Sequence, residues 1–263
     1  MISQDLAGRS ADGFVAVPAT GAAAAVGKTG AGRRLLVWDL PLRVFHWSLV
    51  VAVAASVVTG KIGGNAMELH GKAGLAIVGL VVFRLAWGVL GSSHARFGNF
   101  FPTPGAVRAY LKGQWRGVGH NPLGAASVIA LIAVLATQAA TGLFSSDDIA
   151  YAGPLNPAVS EALATRLSAV HRVMVNVLLG LVALHVLAVA YHSLIKRNDL
   201  VKPMITGWKA VPHGESTHGG GRIALAVSVV IAALVVVLAG GAAGAAAPAK
   251  RPAAAGTAAT PAW

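Results

Sequence analysis

Apolar residues gather into five long runs separated by more polar connections. The runs are Val44–Thr59, Leu69–Leu90, Pro122–Phe144, Ser168–Ile195 and Ile223–Ala247. Each is close to the roughly 20 residues that a helix needs to cross a ~30 Å hydrocarbon core. Backbone groups in lipid must find their hydrogen bonds within the chain, and continuous runs of this length do so only as helices. The pattern therefore predicts an all-α integral membrane protein with five spans. Pro41 suits the first turn of the first helix, where its missing N–H costs little, and Asp39 is placed to cap it.

Composition agrees. The chain has 263 residues, 56% hydrophobic and 11% charged, with a mean hydropathy of +0.68. A soluble domain of this size is about one quarter charged. The formal net charge of +12 raises the question of nucleic acid, but the basic residues lie in connections between spans, and the orientation rule for cytoplasmic loops accounts for them. No nucleic-acid partner is expected; the lipid bilayer is. Arg33 and Arg34 precede the first span, Arg96, Arg108, Lys112 and Arg116 fill the second connection, and Lys196, Arg197, Lys202 and Lys209 follow the fourth span. Asp147, Asp148 and Glu161 face only Arg166 in the third connection. Basic segments stay inside, so the amino terminus is expected in the cytoplasm, the acidic connection outside and the carboxyl terminus outside. Lys250 and Arg251 in the last segment run mildly against this.

Four segments follow: a disordered cytoplasmic tail over 1–32, a four-helix domain over 33–210, a linker with the fifth helix over 211–247, and a disordered tail over 248–263. Gly21–Thr29, "GAAAAVGKT", imitates a phosphate-binding loop but has five residues between its glycines instead of four, and no strand precedes it.

With no cysteine in the chain, disulfides, cysteine-held iron–sulfur clusters and covalent c-type haem are excluded. Nine histidines and four methionines remain as ligand candidates. Four of those histidines, His46, His70, His171 and His185, fall inside spans one, two and four. His171 and His185 are 14 residues apart, which puts them within about 40° of one another on a helix face. Along the axis they are separated by about 21 Å. Counted from the outer ends, His70 and His171 each lie a few residues in, whereas His46 and His185 lie roughly 14 and 18 residues in, about one turn apart. Two pairs at two depths result, and two imidazoles on opposite faces of a flat macrocycle suit a low-spin haem that shuttles electrons. His192, on the same face seven residues beyond His185, is the rival inner ligand but matches the depth of His46 less well. Zinc would need three or four ligands converging on one point, which these depths do not give.

Arg84 is 14 residues from His70 and so shares its face near the inner level. An uncompensated guanidinium at that depth is costly, and the two propionates of a haem offer it a forked partner. Arg43, beside His46, can play the same part or snorkel to the headgroups.

The stretches "VWDLPLRVFHWSLV", "MELHGKAGLAIVGLVVFRLAWGVLGSSHARF", "GHNPLGA", "TGLFSSDDI" and "KRNDLVKPMITG" resemble the bacterial dihaem cytochrome b561 family, over about Leu36–Gly207. That family includes the b-type cytochrome subunits of membrane-bound nickel–iron hydrogenases. The resemblance implies a four-helix membrane bundle in the bacterial inner membrane with two non-covalent b haems, each held by two histidines. It matches the ligands to His46, His70, His171 and His185. It further implies an electron-transfer subunit working between a periplasmic c-type cytochrome or hydrogenase subunit and the quinone pool, with quinone as substrate. The fifth span is a departure from the family. It carries neither histidine nor charge, and holds the small-residue motif Gly240-xxx-Gly244. A homo-oligomer is left open. Two other classes compete: a transporter or proton relay, which would want acidic residues inside spans where almost none occur, and a structural anchor, which leaves histidines paired at two depths unexplained.

Overall fold

The computed structural model describes residues 33–149, 151–211 and 214–246. The expected disordered tails fall outside those residues, as does the glycine-rich Gly21–Thr29. Among the described residues, five helices are long and apolar enough to cross a membrane. They are α1 (Leu40–Ile62), α2 (Met67–Leu90), α5 (Pro122–Phe144), α6 (Glu161–Ala190, continued by a π turn over Tyr191–Ile195) and α8 (Arg222–Ala246). Three short helices lie in the connections: α3 (Phe97–Phe100), α4 (Pro104–Leu111) and α7 (Val201–Thr206).

The helix starts follow local chemistry. Asp39 Oδ1 accepts from Leu42 N at 2.7 Å ahead of Pro41, as expected. Asn121 does the same for Gly124 N at 2.7 Å ahead of Pro122. These caps satisfy N–H groups that the helix itself leaves open. α6 begins at Glu161, seven residues before the sequence-based edge. Ser160 caps it, and Glu161 in its first turn complements the helix dipole. It thus overhangs the acidic end of the bundle by about two turns.

α2 is the central helix. It packs against α1, α5 and α8, while α5 packs against α6. Ile77 and Val81 of α2 meet Leu135 of α5 and Leu178 of α6 in one buried cluster midway along the bundle. A second cluster, Val37, Trp38, Leu42, Phe45, Trp87 and Ala95, closes one end. α8 approaches α2 with small side chains: Ser228, Ala232 and Ala239 are buried, and a Cβ on Gly79 would fall 2.9 Å from Val236 Cγ2. Large apolar side chains such as Val51, Leu187 and Val237 point outward, as a lipid-facing surface requires.

The closed end carries a feature absent from the hydropathy pattern. β1 (Arg33–Leu36) pairs antiparallel with β2 (Trp208–Val211), Arg33 opposite Val211 and Leu36 opposite Trp208. The segment before α8 is stitched to the same place. Thr217 N donates to Leu36 O at 2.6 Å, and Ser93 N donates to His218 O at 2.7 Å. Gly220 turns there at φ 66°, and a Cβ would meet Ser92 N at 2.6 Å, so the close crossing needs glycine. The basic segments before span one, after span two and after span four therefore meet at one end of the bundle. The acidic connection closes the other.

Candidate functional site

At the acidic end the second and fourth spans bring His70 and His171 together, with ring centroids 6.1 Å apart. Two metal–imidazole bonds of about 2 Å each, plus the depth of two five-membered rings, would add up to roughly 6 Å, so the pair could hold a metal between its rings. Each ring is oriented from the neighbouring helix. His70 Nδ1 donates to Ser56 O of α1 at 2.8 Å, and His171 Nδ1 donates to Gln138 O of α5 at 2.9 Å. Both bonds fix the tautomer with the proton on Nδ1 and leave the Nε2 lone pair for a metal, the usual arrangement behind a ligating histidine. The rings fit because glycines stand beside them. A Cβ on Gly60 would lie 2.9 Å from His70 Nδ1, and one on Gly142 would lie 2.9 Å from His171 Cε1. Gln138 Nε2 donates to His171 Nε2 at 3.1 Å, engaging the lone pair that an iron would take. Its own Oε1 is buried without a partner, and the flexible Gln138 side chain can give up that contact.

Toward the basic end lie His46 on α1 and His185 on α6, close enough to act on each other electrostatically. His46 Nδ1 is buried without a hydrogen-bond partner. His192 sits in the π turn, where its ring meets Tyr191 edge-on at 5.6 Å and its carbonyl accepts from Asn198 N.

Arg84 is 1% exposed, and neither of its terminal nitrogens has a protein partner. Its guanidinium lies 4.4 Å over the Phe97 ring. Asp39 is the nearby carboxylate, but Oδ1 serves Leu42 N and Oδ2 accepts from Trp87 Nε1 at 3.1 Å. A buried cation with idle forked donors fits the carboxylate of a haem propionate. Arg43 is turned elsewhere: its Nη1 donates to Ile205 O at the basic end, and its Nε is buried without a partner.

Sequence reading missed His120. It lies between the rings of Trp38 and Phe100, at 4.5 and 4.6 Å, with Nδ1 buried and unpartnered. Burial, with Arg84, His94 and His185 nearby, pushes its imidazole down to about 3, so it is neutral at physiological pH. The one signal for it was "GHNP", directly before the cap of α5. Also missed was Tyr151 in the acidic connection. Its hydroxyl sits against the backbone of Gly71, where any Cβ would collide with it. Burial first, and then Asp147, raise its phenol above the usual range.

Residues 37–207, well over half of the chain, match the family described as prokaryotic cytochrome b561. The chain belongs to that family. As a member it is a multi-pass helical membrane protein of the b-type cytochrome class, and the matched region contains the first four spans and all four paired histidines. α8 lies beyond it. Among relatives, the "Probable Ni/Fe-hydrogenase B-type cytochrome subunit" of Azotobacter chroococcum mcd 1 is 24% identical over 216 residues, covering 66% of this chain and 87% of the relative. The "Probable Ni/Fe-hydrogenase 1 B-type cytochrome subunit" of Escherichia coli (strain K12) is 24% identical over 123 residues, 35% of this chain. The match spans about half of that relative, 52% of its length. No solved structure matches the chain.

Proposed function

We propose that this chain is a dihaem b-type cytochrome that carries electrons across a bacterial inner membrane, between a periplasmic redox partner and the quinone pool. The observation that carries this reading is the pair His70 and His171, with ring centroids 6.1 Å apart and each ring anchored through Nδ1 to a carbonyl of the neighbouring helix. His46 and His185 form the second pair, about 21 Å of helix from the first on α6. Haem b, when bound, supplies a one-electron carrier at each level. The residues do the rest: four imidazoles fix the iron positions, Arg84 balances propionate charge at the basic end, and packed apolar helices keep water away. Arg43 contributes to that charge balance from the surface side. With basic segments inside, the amino terminus is cytoplasmic and the carboxyl terminus periplasmic, so the first pair lies near the periplasm. The partner is a c-type cytochrome or a hydrogenase subunit, in keeping with the names of the relatives. Quinone exchanges electrons near the basic end.

Haem stoichiometry and ligand variants test this. Acidified solvent should extract two haems per chain and leave none on the polypeptide, which has no cysteine to hold one. His70→Ala and His171→Ala should each lose the same haem, and His46→Ala and His185→Ala the other. One haem per purified wild-type chain, or His185→Ala retaining two while His192→Ala loses one, would overturn the assignment.

A further inference from the structure

Buried donors without acceptors gather at one end of the bundle. Among the described residues, seven buried side-chain polar atoms find no hydrogen-bond partner, and six of them belong to Arg43, His46, Arg84, Ser92 and His120 at the basic end. All six can donate. The seventh, Gln138 Oε1, is an acceptor beside His171. A buried donor left without an acceptor is costly, so a cluster of them calls for a group with several lone pairs. Arg84 and His120 are tied to one another by a row of rings. The Arg84 guanidinium lies 4.4 Å over Phe97, Phe97 is 5.8 Å from Phe100, and Phe100 is 4.6 Å from His120. Trp38, 4.5 Å away, holds the imidazole from a second direction. Both Arg84 and His185 are near enough to act on His120 electrostatically. The other polar groups there are committed: Asp39 to Leu42 N and Trp87, and His94 Nδ1 to Val37 O at 3.1 Å.

We propose that His120 is a haem-binding residue, which with Arg84 clasps the carboxylates of the basic-end haem: the Arg84 fork takes one propionate and His120 Nδ1–H the other. The inference rests on the haem ligation proposed above. A guanidinium pairs with a planar carboxylate through two parallel N–H bonds, and a neutral imidazole adds a third donor without adding a second charge. A quinone carbonyl could accept from His120 but would leave the Arg84 charge buried and unbalanced. His120 is well placed for such a role because the chain fixes it locally. Asn121, the next residue, caps α5 through its bond from Gly124 N, and Pro122 follows in the first turn. The helix without a ligand then serves both levels of the bundle. Gln138 O orients His171 at one end of α5, and His120 holds a carboxylate at the other.

Haem transfer from the purified full-length holoprotein to excess apomyoglobin is the test. His120→Phe keeps a ring between Trp38 and Phe100 and removes the N–H. It should lose one haem roughly tenfold faster than the wild type, the haem that His46→Ala removes, while the other leaves at the wild-type rate. His120→Gln, which keeps a donor, should restore slow loss. Redox-difference infrared spectra of chain carrying haem isotope-labelled in its propionate carboxylates give a second readout: both His120 variants should move one labelled carboxylate band. If His120→Phe yields no protein, the His120→Gln spectrum decides, and an unmoved band overturns the inference. Unchanged haem loss in His120→Phe, faster loss of the other haem, or fast loss that His120→Gln fails to restore would overturn it too. Inorganic phosphate separates the other source of the same chemistry. If phosphate raises the melting temperature of the wild type but not of His120→Phe, and haem loss is equal in the two, the donors hold a free anion and no propionate. A wild-type chain with no haem at the basic end would instead remove the ligation reading, and this inference with it.

Discussion

Arg84 is the buried side chain whose demand the protein meets least: two idle nitrogens on a fixed cation, with the neighbouring carboxylate already committed to a helix cap and to Trp87. If a propionate completes it, Arg84→Leu leaves that carboxylate buried alone, a loss of about 3–5 kcal/mol. Extracted haem should then fall from two per chain towards one, with the spectrum of the acidic-end haem unchanged; two tightly held haems in Arg84→Leu would count against the pairing. Arg84 was legible in the sequence because a charge inside an apolar run needs an explanation. The paired histidines were legible for the same reason. The acceptors behind them were not, since a backbone carbonyl leaves no mark in a sequence. His120 escaped because it lies outside the spans, where a histidine is unremarkable.

The spans themselves were readable to within a few residues, because length and apolarity in lipid leave no alternative to a helix. The exception, the start of α6, shows the limit: Ser160 and Glu161 continue the helix past the apolar run, which hydropathy does not register. The strand pair was invisible, being two four-residue segments separated by four spans. α8 was legible as a span, and its packing is carried by small residues that composition alone does not orient. Gly79→Leu tests that packing. A Cβ there is already within 2.9 Å of Val236, and the larger side chain must push α8 away from α2. We expect a loss of about 1–3 kcal/mol in detergent stability. Limited proteolysis over 214–221 should quicken, and haem content should match that of the wild type, because the proposed ligands lie on α1, α2 and α6. A drop in haem would instead make α8 part of the cofactor site.

At the scale of the molecule, the basic connections gather at one end, whereas at the other Asp148 and Glu161 line a cavity of about 270 Å³ and Lys61, Lys72, Arg166 and Arg172 share that end with them. Asp147 is less free to steer a partner, since its carboxylate accepts from Ile149 N and Tyr151 N. Asp148→Asn with Glu161→Gln should therefore slow reduction by a basic periplasmic donor severalfold at low ionic strength. The difference should vanish near 1 M salt, where screening acts within about 3 Å. Stopped-flow mixing at two salt concentrations checks this, and identical low-salt rates would reduce the loop to a solvated turn. The strand pair at the opposite end bears on how the protein is made. Residues 33–36 emerge early, yet their partners at 208–211 follow only after roughly 175 further residues, on the order of 10–35 s of translation. For that interval the first helices stand in the bilayer with their basic end unsealed, and the lid of the bundle closes only when the fourth helix has been threaded. Zipping of two short strands thus reports, from the aqueous side, that insertion of the first four spans is complete.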